Sequence, residues 1–304
     1  MDKFEHQMIM LAIHSVTNEH TLYNNTRIAR QICKNLRSLN IQCRRVEQLK
    51  IRHVEACIHH RLSQGIALRT LHNEMSVLRK ILKQAGRHQM INHERFSNDA
   101  LGLSGADRSS PRTAISSGYF RIILDEARIK DPGFAVSLEL ARHLGLSPAE
   151  AAQCLASLKE WHQAYRYREK LDRRITELRV MPQPRHNVSR YALVLDHDAV
   201  KEVIDRGLAI VKTHHGMLVN IRDAGKAKKY WAKLANSVGL TGENSPRSLR
   251  YAWVREAIQH FLDRGFSKHE TLTMISMSLG HGSGNYVRRV YGKMADLSGK
   301  CATG

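Results

Sequence analysis

Residues 144–150 read Leu-Gly-Leu-Ser-Pro-Ala-Glu, a stretch that carries both a helix start and a candidate site residue. Ser147 can cap a helix, and Pro148 suits the first turn because that turn leaves its backbone N–H groups unpaired. Glu150 stands at the third helical position, where its carboxylate can reach back to the cap. The stretch therefore predicts that a helix begins at Pro148, shortly after a helix over residues 134–144.

Helical periodicity extends over most of the chain on either side of this stretch. In the second half the predicted helices cover residues 119–129, 134–144, 199–211, 227–238, 249–262 and 272–279. Two β-prone runs, residues 175–180 and 191–195, are separated by Pro182 and Pro184 and predict one hairpin with a loose loop. The fold class predicted for this half is mainly helical with a single small sheet.

The composition favours a polyanionic partner. The 304 residues include 48 Lys plus Arg against 28 Asp plus Glu, a formal charge of +20, and such side chains neutralise phosphates and release the counterions condensed on nucleic acid. No run approaches the ~18 apolar residues of a membrane span, and residues 1–10 are unlike a signal peptide. We therefore expect a cytoplasmic protein whose partner is a polyanion, in the first place nucleic acid, and not a membrane.

Cysteine and histidine do not indicate a metal. The five cysteines are scattered without a Cys-x-x-Cys motif, and none of the eighteen histidines joins them at zinc-finger spacing. The expectation is reduced thiols, solvated or structural histidines and no bound metal.

A change of texture marks a domain boundary. Helices are predicted over residues 22–39, 54–62 and 70–84, whereas residues 97–117 are rich in Gly, Ser and Asp without sustained periodicity. The prediction is a helical N-terminal DNA-binding domain, a linker and a second domain, over residues 1–100, 101–117 and 118–304. Arg108 and Arg112 of the linker could lie along a DNA backbone, although a flexible spacer is the alternative.

Basic side chains interleave with the apolar positions of two predicted helices. On a strongly basic chain we expect them to contact the DNA backbone, the alternative being a solvated face. The candidates are Arg69, Arg79, Lys80, Lys83, Lys226, Lys228 and Lys229. Trp231 and Trp253 are expected to anchor the core rather than to stack on bases.

Two further motifs follow the opening stretch. Residues 246–251 read Pro-Arg-Ser-Leu-Arg-Tyr and residues 279–282 read Leu-Gly-His-Gly, with Tyr291 ten residues after His281. In this order and spacing the three motifs resemble the conserved boxes of the tyrosine recombinases, the phage-type integrases. The resemblance covers nearly the whole chain and implies a helical core-binding domain followed by a helical catalytic domain with a small hairpin.

The resemblance also implies a chemistry. In that family a tyrosine attacks the scissile phosphate to form a 3′-phosphotyrosine, which a strand hydroxyl reverses, so no cofactor is consumed. Arginines clamp the phosphoryl oxygens. Because the family works as an oligomer on double-stranded DNA, the resemblance implies a nucleoid-associated protein with double-stranded DNA as its partner and leaves a homo-oligomer open here. Carried over by position, the catalytic set is Tyr291, Arg250, His281, Arg247 and Glu150.

Three positions depart from the family pattern. Ser147 stands where the first arginine is expected and cannot supply a planar, charged clamp. Arg247 replaces a histidine and cannot act as a general base. Residues 171–200 contain no lysine; Arg185 or Arg190 could supply charge there, but arginine is a poor proton donor.

These departures lead to three hypotheses. The first is a DNA-binding protein of the recombinase type, acting in DNA recombination or integration, with strand cleavage impaired or lost. The alternative is an active site-specific recombinase with a rearranged pocket, in which Arg142 and Arg247 assist Tyr291. The third is an architectural or regulatory nucleic-acid-binding protein.

Overall fold

The chain forms two compact units, residues 1–110 and 111–304. The computed structural model describes residues 2–17, 19–105, 113–171, 173–181, 189–219, 221, 223–281 and 290–291. Arg108 and Arg112, the predicted linker contacts, lie outside the described residues. Within the described ranges no helix is both long enough and apolar enough to cross a membrane.

The first unit is helical and has its own apolar core. Its helices are α1 (Lys3–His14), α2 (Glu19–Ser38), α3 (Ile51–Ser63), α4 (Leu68–Gln84) and α5 (His88–Ile91). Helices α2, α3 and α4 confirm the three predicted from periodicity. On α4 the buried face repeats every three or four residues, through Leu71, Met75, Leu78 and Leu82, because that spacing places side chains on one side of a helix.

The predicted linker over residues 101–117 is too long at both ends. Leu101 and Leu103 are fully buried in the core of the first unit, and His72 Nε2 donates to the Leu103 carbonyl at 2.6 Å. Ile115 is buried in the core of the second unit, where its N–H donates to the Ser248 carbonyl. Isolated leucine and isoleucine side chains are enough to anchor a segment that has no periodicity.

Over its described residues the second unit is mainly helical with one two-stranded antiparallel sheet, as predicted. In the strands, Glu177 pairs with Leu193 and Val180 with Arg190. Helix α9 was not predicted. The elements in order are α6 (Ser117–Lys130), α7 (Pro132–Leu144), α8 (Pro148–Ala151), α9 (Leu155–Glu169), β1 (Glu177–Val180), β2 (Arg190–Leu193), α10 (His197–Thr213), α11 (Ala224–Ser237), α12 (Arg247–Leu262) and α13 (Lys268–Ser278).

Helix α7 lies at the centre of this unit, with almost every side chain buried and with α6, α10 and α12 packed around it. Trp231 of α11 is buried, and its indole N–H donates to Ser137 Oγ of α7 at 2.7 Å. Trp253 of α12 is also fully buried. Both tryptophans are therefore the core anchors that the sequence predicts, and they fix the helices that carry the candidate site.

Candidate active site

Glu150 is held by a capping box at the start of α8. Ser147 Oγ accepts from the Glu150 N–H at 3.2 Å, and Glu150 Oε2 accepts from the Ser147 N–H at 2.6 Å. This is the helix start that the sequence predicts, although α8 has only one turn. The capping box fixes the carboxylate beside the end of α7 and leaves its second oxygen for another partner.

That partner is Arg190, the first residue of β2. Its Nε donates to Glu150 Oε1 at 2.8 Å and its Nη2 to Glu150 Oε2 at 3.1 Å. The remaining contacts are to main-chain carbonyls, from Nη2 to Gly145 at 3.3 Å and from Nη1 to Ser278. The arginine side chain is only 7% exposed, so the ion pair is buried and each charge depends on the other.

The end of α13 brings the second and third motifs together. Arg250, in the first turn of α12, donates from Nη2 to the Leu279 carbonyl at 3.0 Å. Gly280 has φ +70°, and a Cβ there would lie 3.2 Å from Arg190 Cδ. A side chain at this position would be strained by the left-handed backbone and would crowd the arginine, which favours glycine.

His281 and Tyr291 complete the group. The His281 N–H donates to the Ser276 carbonyl at 3.0 Å, and Ser276 Oγ donates to the His281 carbonyl at 2.9 Å. The imidazole and the Tyr291 ring have centroids 6.4 Å apart, and the phenol is 3% exposed. We call Glu150, Arg190, Arg250, His281 and Tyr291 the site cluster.

Burial and neighbouring charges shift the pKa values of two members of the site cluster. Burial opposes ionisation of Glu150, but hydrogen bonds from Arg190 and the charges of Arg190 and Arg250 lower its pKa to about 2. Burial, followed by the charges of Arg250 and Arg190, lowers the pKa of His281 to about 4, against the opposing effect of Glu150. At neutral pH the carboxylate is therefore ionised and the imidazole is neutral and able to accept a proton.

The other predicted catalytic groups lie elsewhere. Arg142 donates from both terminal nitrogens to the carboxylate of Glu256, one of these bonds being 2.6 Å long, so the arginine that was to replace the missing clamp is paired with another helix. Arg247 is exposed at the start of α12. Arg185 lies outside the described residues.

Arg190 is the site residue that sequence reasoning placed least well. The sequence presents it only as one of two arginines that could supply charge near the hairpin, yet it is the central contact of Glu150. The sequence carries no local signal for this contact: strand alternation can place Arg190 on the same face as Ala192, but it does not tell which group the arginine will meet there.

The predicted DNA contacts divide into exposed and buried groups. The guanidinium of Arg79 donates to the Phe96 carbonyl at 2.8 Å and to Asn98 Oδ1 at 2.9 Å and lies over the Phe96 ring. It fastens residues 96–98 to α4, which corrects its assignment to the open basic face. Exposed members are Arg69, Lys80, Lys83, Lys226 and Lys229, and Lys228 is half-buried.

Metal ligation is not supported within the described ranges, where no group of three or more His, Cys, Asp or Glu side chains could hold an ion.

The helical fold and the convergence of three motifs on one cluster define the class, that of the integrases. Residues 1–91 match the family model described as "Phage integrase, N-terminal", and residues 102–256 match the model described as "Integrase". The chain belongs to the integrase family, the tyrosine recombinases.

Solved structures with the same fold include integrases from a phage and from a transposon. A lambda integrase dimer bound to a COC′ core site is 14% identical, with a TM-score of 0.58 over 93% of this chain and 95% of that one. The Tn1549 transposon integrase in complex with transposon right-end DNA is 10% identical, with a TM-score of 0.59 over 93% and 94%. At such identities the likeness shows the fold. No curated protein has significant sequence similarity to the chain.

Proposed function

We propose that this integrase-family chain binds duplex DNA in the course of recombination or integration, and that its own strand cleavage is impaired. Family membership and the charge of +20 support DNA binding, as do the similar proteins solved on DNA as a lambda integrase dimer and tetramer. By the same analogy the chain assembles as an oligomer on its site. A protein that acts on chromosomal DNA would work in the cytoplasm, at the nucleoid.

The observation that carries impaired cleavage is the use made of Ser147, and two further features support it. Its hydroxyl is the cap of α8, with no charge to offer a phosphate, and Arg142 is paired with Glu256. Loss of one preorganised charged donor typically costs ~10²- to 10³-fold in rate. With the hairpin lysine also replaced, the chain keeps the means of holding DNA and lacks part of the means of breaking it.

Trapping of a covalent adduct tests this proposal. A binding site is first selected from random-sequence duplexes, and a nicked version of the selected duplex then serves as a suicide substrate. We expect specific duplex binding with adduct formation at least ~10²-fold slower than in an integrase that has both arginines. Fast adduct formation that Tyr291→Phe abolishes would overturn the claim of impairment.

A second candidate function is active recombination through Tyr291. The observation in its favour is the contact of the Tyr291 ring with a neutral His281, beside Arg250. Recombination between two selected sites in cells, lost in Tyr291→Phe, would support it. Tight specific binding without recombination would support the first proposal instead.

Salt dependence distinguishes the third hypothesis, an architectural or regulatory nucleic-acid-binding protein, from a protein that binds duplex DNA for recombination. Affinity for duplex DNA, single-stranded DNA and RNA is measured over a salt series, because a protein that contacts several phosphates of a duplex shows a steep slope. Preference for RNA or for a single strand at every salt concentration would contradict the duplex proposal.

Lys80 and Lys83 on α4 should contribute to duplex affinity in a way that Arg79 does not. Each lysine-to-alanine change is expected to reduce the salt slope by about 1 with thermal stability unchanged, since both side chains are exposed. Arg79→Ala should instead lower the free energy of unfolding of the first unit by ~1–3 kcal/mol, because it leaves a buried carbonyl unpaired.

Fluorescence anisotropy over a salt series and thermal melts of the same variants check this contrast. An unchanged salt slope in both lysine variants would remove α4 from the DNA interface.

A further inference from the structure

We infer that Arg190 is a positioning residue, which holds the end of α13 so that Arg250 and His281 face an incoming DNA phosphate, and that it is not itself a phosphate clamp. This inference rests on the proposed function for its ligand. The buried ion pair of Arg190 and Glu150 then serves to hold the end of α13, a role that the charge of Arg190 alone does not indicate.

The donors of Arg190 are already engaged. A guanidinium has five N–H groups, and four of them are used by Glu150, by the Gly145 carbonyl and by the Ser278 carbonyl. A phosphate could approach only by displacing these acceptors in a site where the side chain is 7% exposed. The contacts therefore favour a fixed arginine over one that reorients toward substrate.

Two guanidiniums bind consecutive carbonyls at the end of one helix. Arg190 takes the carbonyl of Ser278, and Arg250 takes the next carbonyl, that of Leu279. The last carbonyls of a helix have no partner within it and carry partial negative charge, so cations stabilise them. Because the two anchors are adjacent in the chain, a shift of the first would displace the second.

The same contact also determines the position of His281. Gly280 lies against the Arg190 side chain, since a Cβ on this glycine would be 3.2 Å from Arg190 Cδ. His281 is the next residue. The Leu193 N–H of β2 donates to Ser278 Oγ at 3.0 Å. The hairpin therefore holds the end of α13 by its main chain and by Arg190, on the segment that leads to the imidazole.

A titration of His281 tests the positioning role without requiring activity. The charged groups facing the imidazole are Arg250, Arg190 and Glu150. By NMR, with the signal assigned through His281→Gln, Arg190→Met should raise the pKa of His281 from about 4 toward 6.5, whereas Glu150→Gln should lower it or leave it depressed. Arg179→Met, on the exposed face of β1, is the matched control and should leave it unchanged.

The opposite signs separate positioning from simple loss of structure. If both changes only loosened the unit, the pKa of His281 would rise in both variants. An unchanged pKa in Arg190→Met, or an equal rise in both variants, would overturn the inference. Arg190→Lys keeps the charge but cannot bind Glu150 and the Ser278 carbonyl as the fork does, so the pKa of His281 should rise in this variant too. A pKa as low as in the parent chain would show that charge alone acts, and would overturn the inference.

A double-mutant cycle on duplex affinity tests the path through Arg250. Arg190→Met should weaken binding of the selected duplex at least ~3-fold in the parent chain, and the loss should vanish in an Arg250→Met background, because coupled residues are not additive. Equal losses of duplex affinity in the parent chain and in the Arg250→Met background would show that Arg190 does not act through Arg250. If the parent chain binds no duplex, the proposed function fails, while the NMR result still decides whether Arg190 positions His281.

Discussion

Ser147→Arg is expected to raise the rate of covalent adduct formation by ~10²-fold or more, the reverse of the cost of losing one preorganised donor. The change places a guanidinium where the family has its first arginine, beside Glu150, which can accept from it. A planar, permanently charged fork suits the oxygens of a phosphoryl transition state in a way that a hydroxyl cannot. The measurement is single-turnover adduct formation on the nicked duplex.

Ser267→Arg is the matched control for this substitution. Ser267 caps α13 with Glu270 in the same reciprocal arrangement as Ser147 and Glu150, with bonds of 3.3 and 2.8 Å. Losing either cap should cost ~1 kcal/mol of stability, but only the change at residue 147 should accelerate cleavage. Equal rates in both variants would show that the missing arginine is not what limits the reaction.

Local signals in the sequence were sufficient for the elements and for one contact of the site. The Ser147 and Glu150 capping box depends on residues three apart, which a single helix turn brings together whatever surrounds it. The strands around residues 177–180 and 190–193 were likewise predicted from short β-prone runs. These features need no knowledge of distant packing.

The parts that sequence reasoning missed depend on tertiary contacts. Arg142 stands just over one helical turn before Ser147 and is a reasonable substitute clamp by sequence, but Glu256, more than a hundred residues away, binds it. Arg190 reaches Glu150 and Ser278 from a third segment. An arginine has no local pattern that tells whether carbonyls, a carboxylate or a phosphate will satisfy it, so only the fold distinguishes these fates.

We expect the ionised Glu150 to contribute about 3 kcal/mol to the free energy of unfolding of the second unit, a contribution that is lost in acid. Its pKa is about 2 in the folded chain and 4.5 for an unperturbed carboxyl, and each pKa unit corresponds to about 1.4 kcal/mol. A depressed carboxyl pKa contributes stability that is fully present above pH 4.5 and is lost as the pH falls toward 2. Denaturant unfolding of the second unit between pH 7.5 and 2.5 measures it.

His281 adds a loss of stability that begins at higher pH. Its pKa falls from 6.5 to about 4 on folding, so the unfolded chain binds the proton more readily and stability declines as the pH drops from 6.5 to 4. Both groups therefore act in the same direction over adjoining windows. His281→Gln should reduce the decline in the upper window, where burial also lowers the pKa of His143, and should leave the lower window unchanged.

In Glu150→Gln the free energy of unfolding of the second unit should be lower at neutral pH and should change less with pH below 4.5. It is lower because the buried Arg190 loses its counter-charge, and it changes less because an amide does not titrate. Glu243→Gln, at an exposed residue of the same unit, should reproduce the parent curve. If Glu150→Gln retained the full loss of stability between pH 4.5 and 2, the acid lability would come from other carboxylates, and the ion pair at the centre of the site cluster would not be its source.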